Sequence, residues 1–206
     1  AAVNIREVHR YIADKIFAKS DRAKLLVRLR RRQMAATGNS IGVVGAGPAG
    51  LTAAFYLTLL GHTVTVYESA EKAGGMLRYA LPEYRLPKAV LDNEIALIEG
   101  LGVRFVFNTA LGRDLQLDRL EAEHAAVFLA FGTWGQSGLD LPGDKLRGRH
   151  GALEFLDAVE HSKPPELGAR VLVIGGGNAA VDAARSALRL RHEVTIVYRR
   201  SREDMP

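Results

Sequence analysis

Gly45, Gly47 and Gly50 stand at GxGxxG spacing, directly after the β-branched run "IGVV" and before an alanine- and leucine-rich stretch. Each glycine has a separate job in a dinucleotide turn. The first permits the tight bend, the second lets the backbone approach a pyrophosphate, and the third lets the helix pack close to the strand. The helix start offers unpaired N–H groups and a partial positive charge to the phosphates. Glu68 lies 23 residues beyond Gly45, at the end of the next alternating run. A carboxylate there accepts hydrogen bonds from ribose hydroxyls. The competing reading is a glycine-rich turn in an ordinary α/β protein.

The same unit recurs after a shift of 130 residues, which aligns Gly45 with Gly175, Gly47 with Gly177, Gly50 with Ala180, His62 with His192 and Glu68 with Tyr198. Alanine is permitted at the third position of the turn. The two copies differ at the end of the second strand, where Tyr198 is followed by Arg199 and Arg200. A carboxylate would repel a phosphate on the ribose 2′-oxygen, and two guanidinium groups would attract it and bind it bidentately. The first unit therefore suits a bare ribose, as in FAD or NAD, and the second a phosphorylated one, as in NADPH. Arg202 is a third candidate for the clamp. Exposed loop cations are the alternative reading of these arginines.

The pattern predicts helices over 4–18, with Ile5, Val8, Ile12 and Ile16 on one face, and over 21–34. Strands are expected at 41–44, 63–67, 103–107, 126–131 and from 170, and helices at 48–60, 87–100 and 151–161. "GLDLPGDKLRG", 138–148, reads as a surface crossing and "KPPELG" as a boundary. The expected fold is α/β: two Rossmann-like dinucleotide-binding units, the second incomplete, preceded by a short helical segment. The expected divisions are 1–37 helical, 38–140 first nucleotide domain, 141–168 connection and 169–206 second nucleotide domain.

Composition narrows the chemistry. The 206 residues contain no cysteine, which excludes disulfides, a CxxC pair and cysteine-ligated iron–sulfur clusters within them. No apolar run is long enough to span a bilayer, and Arg6, Glu7 and Arg10 argue against a signal peptide. A cytoplasmic protein without direct membrane insertion is expected. The net charge of +5 is concentrated in "RAKLLVRLRRR", 22–32, which reads as a solvated helix face with Leu25, Leu26 and Leu29 inward, or as a docking patch for an acidic partner. No aromatic residues interleave these cations, so nucleic acid is not expected. None of the six histidines has metal-ligand spacing. Trp134 suits loop packing, Asp157 and Asp182 read as solvated helix positions, and Ser137 and Ser186 lack a GxSxG setting.

Five strings carry a family likeness: "VVGAGPAGLTAAFYL", "YESAEKAGGMLRYALPEYRLPK", "VFLAFGT", "GGGNAAVDAARSAL" and "VTIVYRRSREDMP". Over nearly the whole chain they resemble the small-subunit family of bacterial glutamate synthase. Relatives of that family include the flavin and NADPH segment of dihydropyrimidine dehydrogenase and the large subunit of ferredoxin-dependent transhydrogenases. The resemblance implies a FAD domain with an NAD(P)H domain inserted, joined to partners that carry iron–sulfur clusters. It implies that Gly45, Ala46, Gly47, Pro48, Ala49 and Gly50, with Glu68 and Ser69, hold the ADP half of FAD. Gly74, Gly75, Met76 and Leu77 would run along the pyrophosphate and flavin side. Arg85 would contact FAD, the backbone of Leu111 would meet the adenine, and Gly132 and Thr133 would form a turn near the cofactor. Gly175, Gly177, Asn178, Ala179 and Ala180 would carry the NADPH pyrophosphate, and Arg199 and Arg200 its 2′-phosphate.

The family also carries cysteine clusters upstream of the first turn and a closing glycine-aspartate segment. This chain has neither, so it is expected to be an excerpt of a longer protein. The expected activity is passage of hydride from NADPH to FAD and of electrons onward to an iron–sulfur partner, with no side-chain acid or base required. A non-catalytic nucleotide-binding scaffold or redox-sensing subunit is the alternative. The missing cysteines count against a disulfide reductase. Which terminal acceptor is served is open at this point.

Overall fold

The computed structural model describes residues 3–18, 22–135, 138, 142 and 146–205. The crossing expected over 138–148 lies largely outside the described residues, as does Ser137. In chain order the elements are α1 (Ile5–Ala18), α2 (Arg22–Arg30), β1 (Ser40–Val44), α3 (Pro48–Leu59), β2 (Thr63–Tyr67), α4 (Met76–Tyr79), α5 (Lys88–Gly100), β3 (Arg104–Val106), α6 (Leu117–Glu123), β4 (Ala126–Leu129), α7 (Ala152–Glu160), β5 (Arg170–Ile174), α8 (Asn178–Arg189) and β6 (Glu193–Val197). The fold is α/β with parallel sheets. Two compact units are present, one formed by the chain up to Gly74 together with Ala89–Phe131, the other by Gly75–Lys88 together with the chain from Gly132.

The first unit is built on a four-stranded parallel sheet in the order β3-β2-β1-β4. β1 is its second-to-last strand and pairs on both sides, Ile41 with Val64 and with Ala126. Ile41–Val44 are all buried, as a strand covered on both faces must be. Val43, Ala46, Leu51, Ala54, Val64 and Val66 form the core between the sheet and α3. A second cluster, Val44, Leu115 and Leu120, packs with Tyr67 and Val127.

α2 rests on α5. Leu25, Leu26 and Leu29 are half-buried, and a methyl group at Gly100 would sit 2.9 Å from a Leu26 methyl. Arg30 donates from Nε and Nη2 to the carbonyl of Gly100 at 3.2 and 2.6 Å, placing its charge at the negative end of α5. This favours the helix-face reading of the basic run. α1 forms where its periodicity predicts, but Ile5, Val8 and Ile12 are 64, 45 and 50 % exposed rather than covered. The spacing specifies a stripe; Ile16 at its end is half-buried, and the rest is left exposed among the described residues.

The second unit has two described strands, β5 and β6, in parallel register from Arg170–Glu193 to Ile174–Val197. α7 and α8 cover one face through Phe155, Leu156, Ala183 and Ala187, against Val171 and Val194. Leu172, Ile174 and Val197 lie at least 46 % exposed.

Candidate functional site

At the first turn β1 ends, the chain bends through Gly45 at φ 103°, and α3 begins after Gly47. A side chain is strained at that φ, and a Cβ there would strike the Ala130 carbonyl. A Cβ on Gly50 would strike the carbonyl of Gly45, so the close approach of helix to turn needs glycine at this position. Pro48 occupies the first helical position, where its missing N–H is not needed. The start of α3 has no side-chain cap, and Pro48 and Ala49 are exposed. Its amide donors are therefore open to an anion.

Glu68 is only 8 % exposed. Its Oε2 accepts the N–H of Ala46 at 2.7 Å, and its Oε1 accepts the Ser69 hydroxyl at 3.1 Å and the Ala70 N–H at 2.8 Å. The carboxylate thus ties the end of β2 to the glycine turn. Its backbone is fixed on both sides, with Glu68 N–H donating to Val106 and Thr109 N–H donating to the Glu68 carbonyl. The Gly74 N–H donates to the Ala46 carbonyl at 2.8 Å, bringing that glycine to the turn as well.

Leu111 sits in the loop after β3, two residues past Thr109, and bridges to Leu115. Asp114 stiffens the loop: it accepts from Arg113 Nε and from the Ala110 N–H, both at 2.9 Å, and these bonds hold its carboxyl below the usual carboxylate range. Near the other end of the sheet's core, His124 bonds Ser40 Oγ at 2.7 Å and Tyr67 Oη at 3.0 Å. Burial and the neighbouring Glu123 push the Tyr67 hydroxyl above the usual tyrosine range.

The second unit holds Gly75, Met76, Leu77, Arg85, Gly132, Thr133 and the whole second turn. Gly75 precedes α4, which contains Met76 and Leu77. Gly132 and Thr133 are exposed beyond β4. Gly175 repeats the left-handed bend at φ 129°, Gly177 precedes α8 without a side-chain cap, and Asn178 and Ala179 are exposed. Ala180 stands half-buried in the first turn of α8, where the first unit has Gly50. Arg199 and Arg200 follow β6 on the surface, and neither is in an ion pair among the described residues.

The expectation that Asp182 is solvated is overturned. Asp182 is 4 % exposed, and its Oδ2 accepts from Arg85 Nη1 at 2.7 Å. The adjacent Tyr84 donates its hydroxyl to the Asp182 carbonyl at 3.3 Å, and its ring lies beneath the guanidinium groups of Arg185 and Arg189. Lys88 pairs with Glu160 of α7 at 3.1 Å, and Tyr79 stacks on His161. Residues 76–88 are therefore a strap along α7 and α8. Arg85 and Asp182 lie 97 positions apart in the chain, beyond the reach of local patterns. Asp157, by contrast, is on the exposed side of α7 beside His161. His62 and His192 occupy matching turn positions, bonded to Thr37 and to the Gly168 carbonyl. Among the described residues no cluster of histidine and acidic side chains could hold a metal, and no helix is long and apolar enough to cross a membrane.

Comparison with known proteins agrees with this architecture. The chain is 42 % identical over 174 residues to the NADP(+)-dependent formate dehydrogenase subunit beta of Moorella thermoacetica, covering 82 % of this chain and 25 % of that one. It is 36 % identical over 218 residues to the glutamate synthase [NADPH] small chain of Escherichia coli, covering all of this chain and 45 % of the relative. The solved structure of Mycobacterium tuberculosis FprA in complex with NADPH matches at TM-score 0.68 and 28 % identity, covering 79 % of this chain and 44 % of FprA. The chain thus spans less than half the length of these relatives. The family model for pyridine nucleotide-disulphide oxidoreductases matches residues 39–204. The disulphide of that description cannot be carried by these 206 residues, which hold no cysteine. What is shared is the paired nucleotide scaffold, and by that match the chain belongs to the pyridine nucleotide-disulphide oxidoreductase family.

Proposed function

We propose that the chain is the electron-entry part of a flavin-dependent oxidoreductase, with FAD on the first glycine turn and NADPH on the second. The observation that carries this reading is the duplicated turn with opposite charge at its strand end. Glu68 is anchored against the first turn, and the exposed Arg199 and Arg200 follow the second.

The residues at the first turn fit the ADP half of FAD. The start of α3 leaves the amides of Ala49 and Gly50 without a side-chain cap, and Gly45 and Gly50 allow the tight turn that presents them. Ala46, Ser69 and Ala70 take three of the roughly four acceptor sites of the Glu68 carboxylate, so Oε2 keeps one for a ribose hydroxyl. Ser69 steadies its outer oxygen. At the second turn, the start of α8 offers the amides of Asn178 and Ala179 to a pyrophosphate, and two guanidinium groups offer bidentate donors to a 2′-phosphate. A nicotinamide held at the second turn would supply a hydride, and a flavin held at the first would be an acceptor able to release electrons singly. The chain's own residues bind, orient and keep charge matched; no side chain is required to move a proton. Relatives named as a small chain and a subunit beta support a partner subunit; electrons would pass to an iron–sulfur centre there or on another domain.

Anaerobic addition of NADPH to the full-length protein tests the reading. Loss of the flavin absorbance band is expected. A colourless protein, or a band that NADPH leaves unchanged, points instead to a nucleotide-binding scaffold. Replacing Arg199 and Arg200 by alanine should weaken NADPH binding by about 10- to 100-fold and NADH binding by less than about threefold. Equal losses would remove the clamp from the mechanism.

A further inference from the structure

A methyl group added at Gly176 would lie 2.5–2.7 Å from three carbons of the Tyr198 ring. Real side chains do not approach so closely, so the ring occupies the space that any other residue at 176 would need. Gly176 is buried and Tyr198 half-buried. The 130-residue shift between the two units pairs Gly176 with Ala46 and Tyr198 with Glu68. Both members of the pair therefore change together. Where the strand ends in an acid, the turn carries a methyl group and donates its N–H to the carboxylate at 2.7 Å. Where the strand ends in a ring, the turn residue has no side chain and the ring packs against it.

We propose that Gly176 and Tyr198 act as one specificity-determining pair for the ribose of the second nucleotide, an inference that rests on the NADPH assignment above. The ring takes the place held by a carboxylate in the first unit. The strand end therefore presents no anion to repel a 2′-phosphate. A ring packed on a buried glycine is also confined in χ1, which fixes the course of the chain into Arg199 and Arg200. Discrimination between phosphorylated and bare ribose then depends on a residue that has no side chain. A methyl at 176 must rotate the ring or shift the turn, and the phosphate-binding strand end is disturbed in either case.

The test is calorimetric titration of the full-length protein with NADP+ and with NAD+, neither of which can reduce a flavin. The wild-type protein should prefer NADP+. Gly176→Ala should lower the NADP+/NAD+ affinity ratio by about tenfold or more. Tyr198→Ala, which removes the ring without adding an atom to the turn, should do the same and decides the matter if the first variant does not fold. Tyr198→Phe should keep the ratio within about twofold, because packing and absence of charge are retained. The double variant Gly176→Ala, Tyr198→Glu recreates the pair of the first unit and should prefer NAD+. An unchanged ratio in both Gly176→Ala and Tyr198→Ala, or a parallel loss for both nucleotides, would overturn the pairing. Wild-type protein that binds neither nucleotide would instead overturn the NADPH assignment, and the pairing with it.

Discussion

Val44 and Ile174 occupy the same position in two copies of one βαβ unit, yet Val44 is 5 % exposed and Ile174 is 51 %. Local sequence accounts for what they share: a strand, a left-handed glycine, an uncapped helix start and a second strand in parallel register. Burial depends on neighbours. β1 has β2 and β4 beside it, whereas β5 has only β6 among the described residues. The turns diverge in the same way. The first is locked by a carboxylate and by a helix that tolerates no methyl at Gly50, while the second accepts Ala180 and is braced by an aromatic ring. A repeated sequence thus yields a repeated backbone, but the tolerance of each copy is set by what surrounds it.

The comparison can be broken most severely at Gly50. Gly50→Ala drives a methyl into a backbone carbonyl, and should destabilise the first unit by about 3 kcal/mol in denaturant unfolding. The reciprocal change, Ala180→Gly, should cost about 1 kcal/mol or less, the ordinary helix penalty for glycine. Next in size is Glu68→Gln. Its amide nitrogen would face a backbone donor at Ala46 or Ala70, costing about 2–3 kcal/mol and lowering the FAD-to-protein ratio on purification. The carboxylate of Asp182 should then be probed with Arg85. Each alanine substitution is expected to cost about 1–2 kcal/mol, with a coupling of about 1 kcal/mol in a double-mutant cycle, and strict additivity would make the pair a spectator. The corresponding residue in the first unit, Thr52, satisfies itself by donating to the Pro48 carbonyl, so Thr52→Ala should have little effect. Smallest is Ile174→Thr, within about 0.5 kcal/mol as for an exposed position. Val44→Thr buries a hydroxyl and should cost about 1–2 kcal/mol.

The glycine turns, both strand pairs and the helices between them are legible in the sequence because each follows from contacts within about 30 residues, the span of a βαβ unit. The strand ending at Val106 and the helix from Lys88 are read from alternation and periodicity in the same way. α6, Leu117–Glu123, is not evident, since a short helix with one buried leucine, Leu120, has little periodicity to detect. The role of Glu68 as an anchor of its own turn was partly hidden. Its type and spacing mark a ribose acceptor, but the Ala46 N–H bond depends on the depth of the crevice. The burial of Asp182 could not be read at all: in its own helix it resembles any surface acid, and its partner arrives from a segment that belongs, by sequence, to the first repeat. The exposed stripe of α1 marks the reverse limit, because a periodic pattern specifies a face without specifying its cover.

The strap from Gly75 to Lys88 gives the second unit two entries of the polypeptide, separated by more than 40 residues that belong elsewhere. No single cut in the chain can therefore release that unit intact. A piece beginning at Gly132 would leave behind Tyr84, Arg85 and Lys88, stranding the Asp182 and Glu160 carboxylates without their cations. Transplanting this nucleotide unit into another protein would require a two-crossing graft, with the strap carried across as a separate insert.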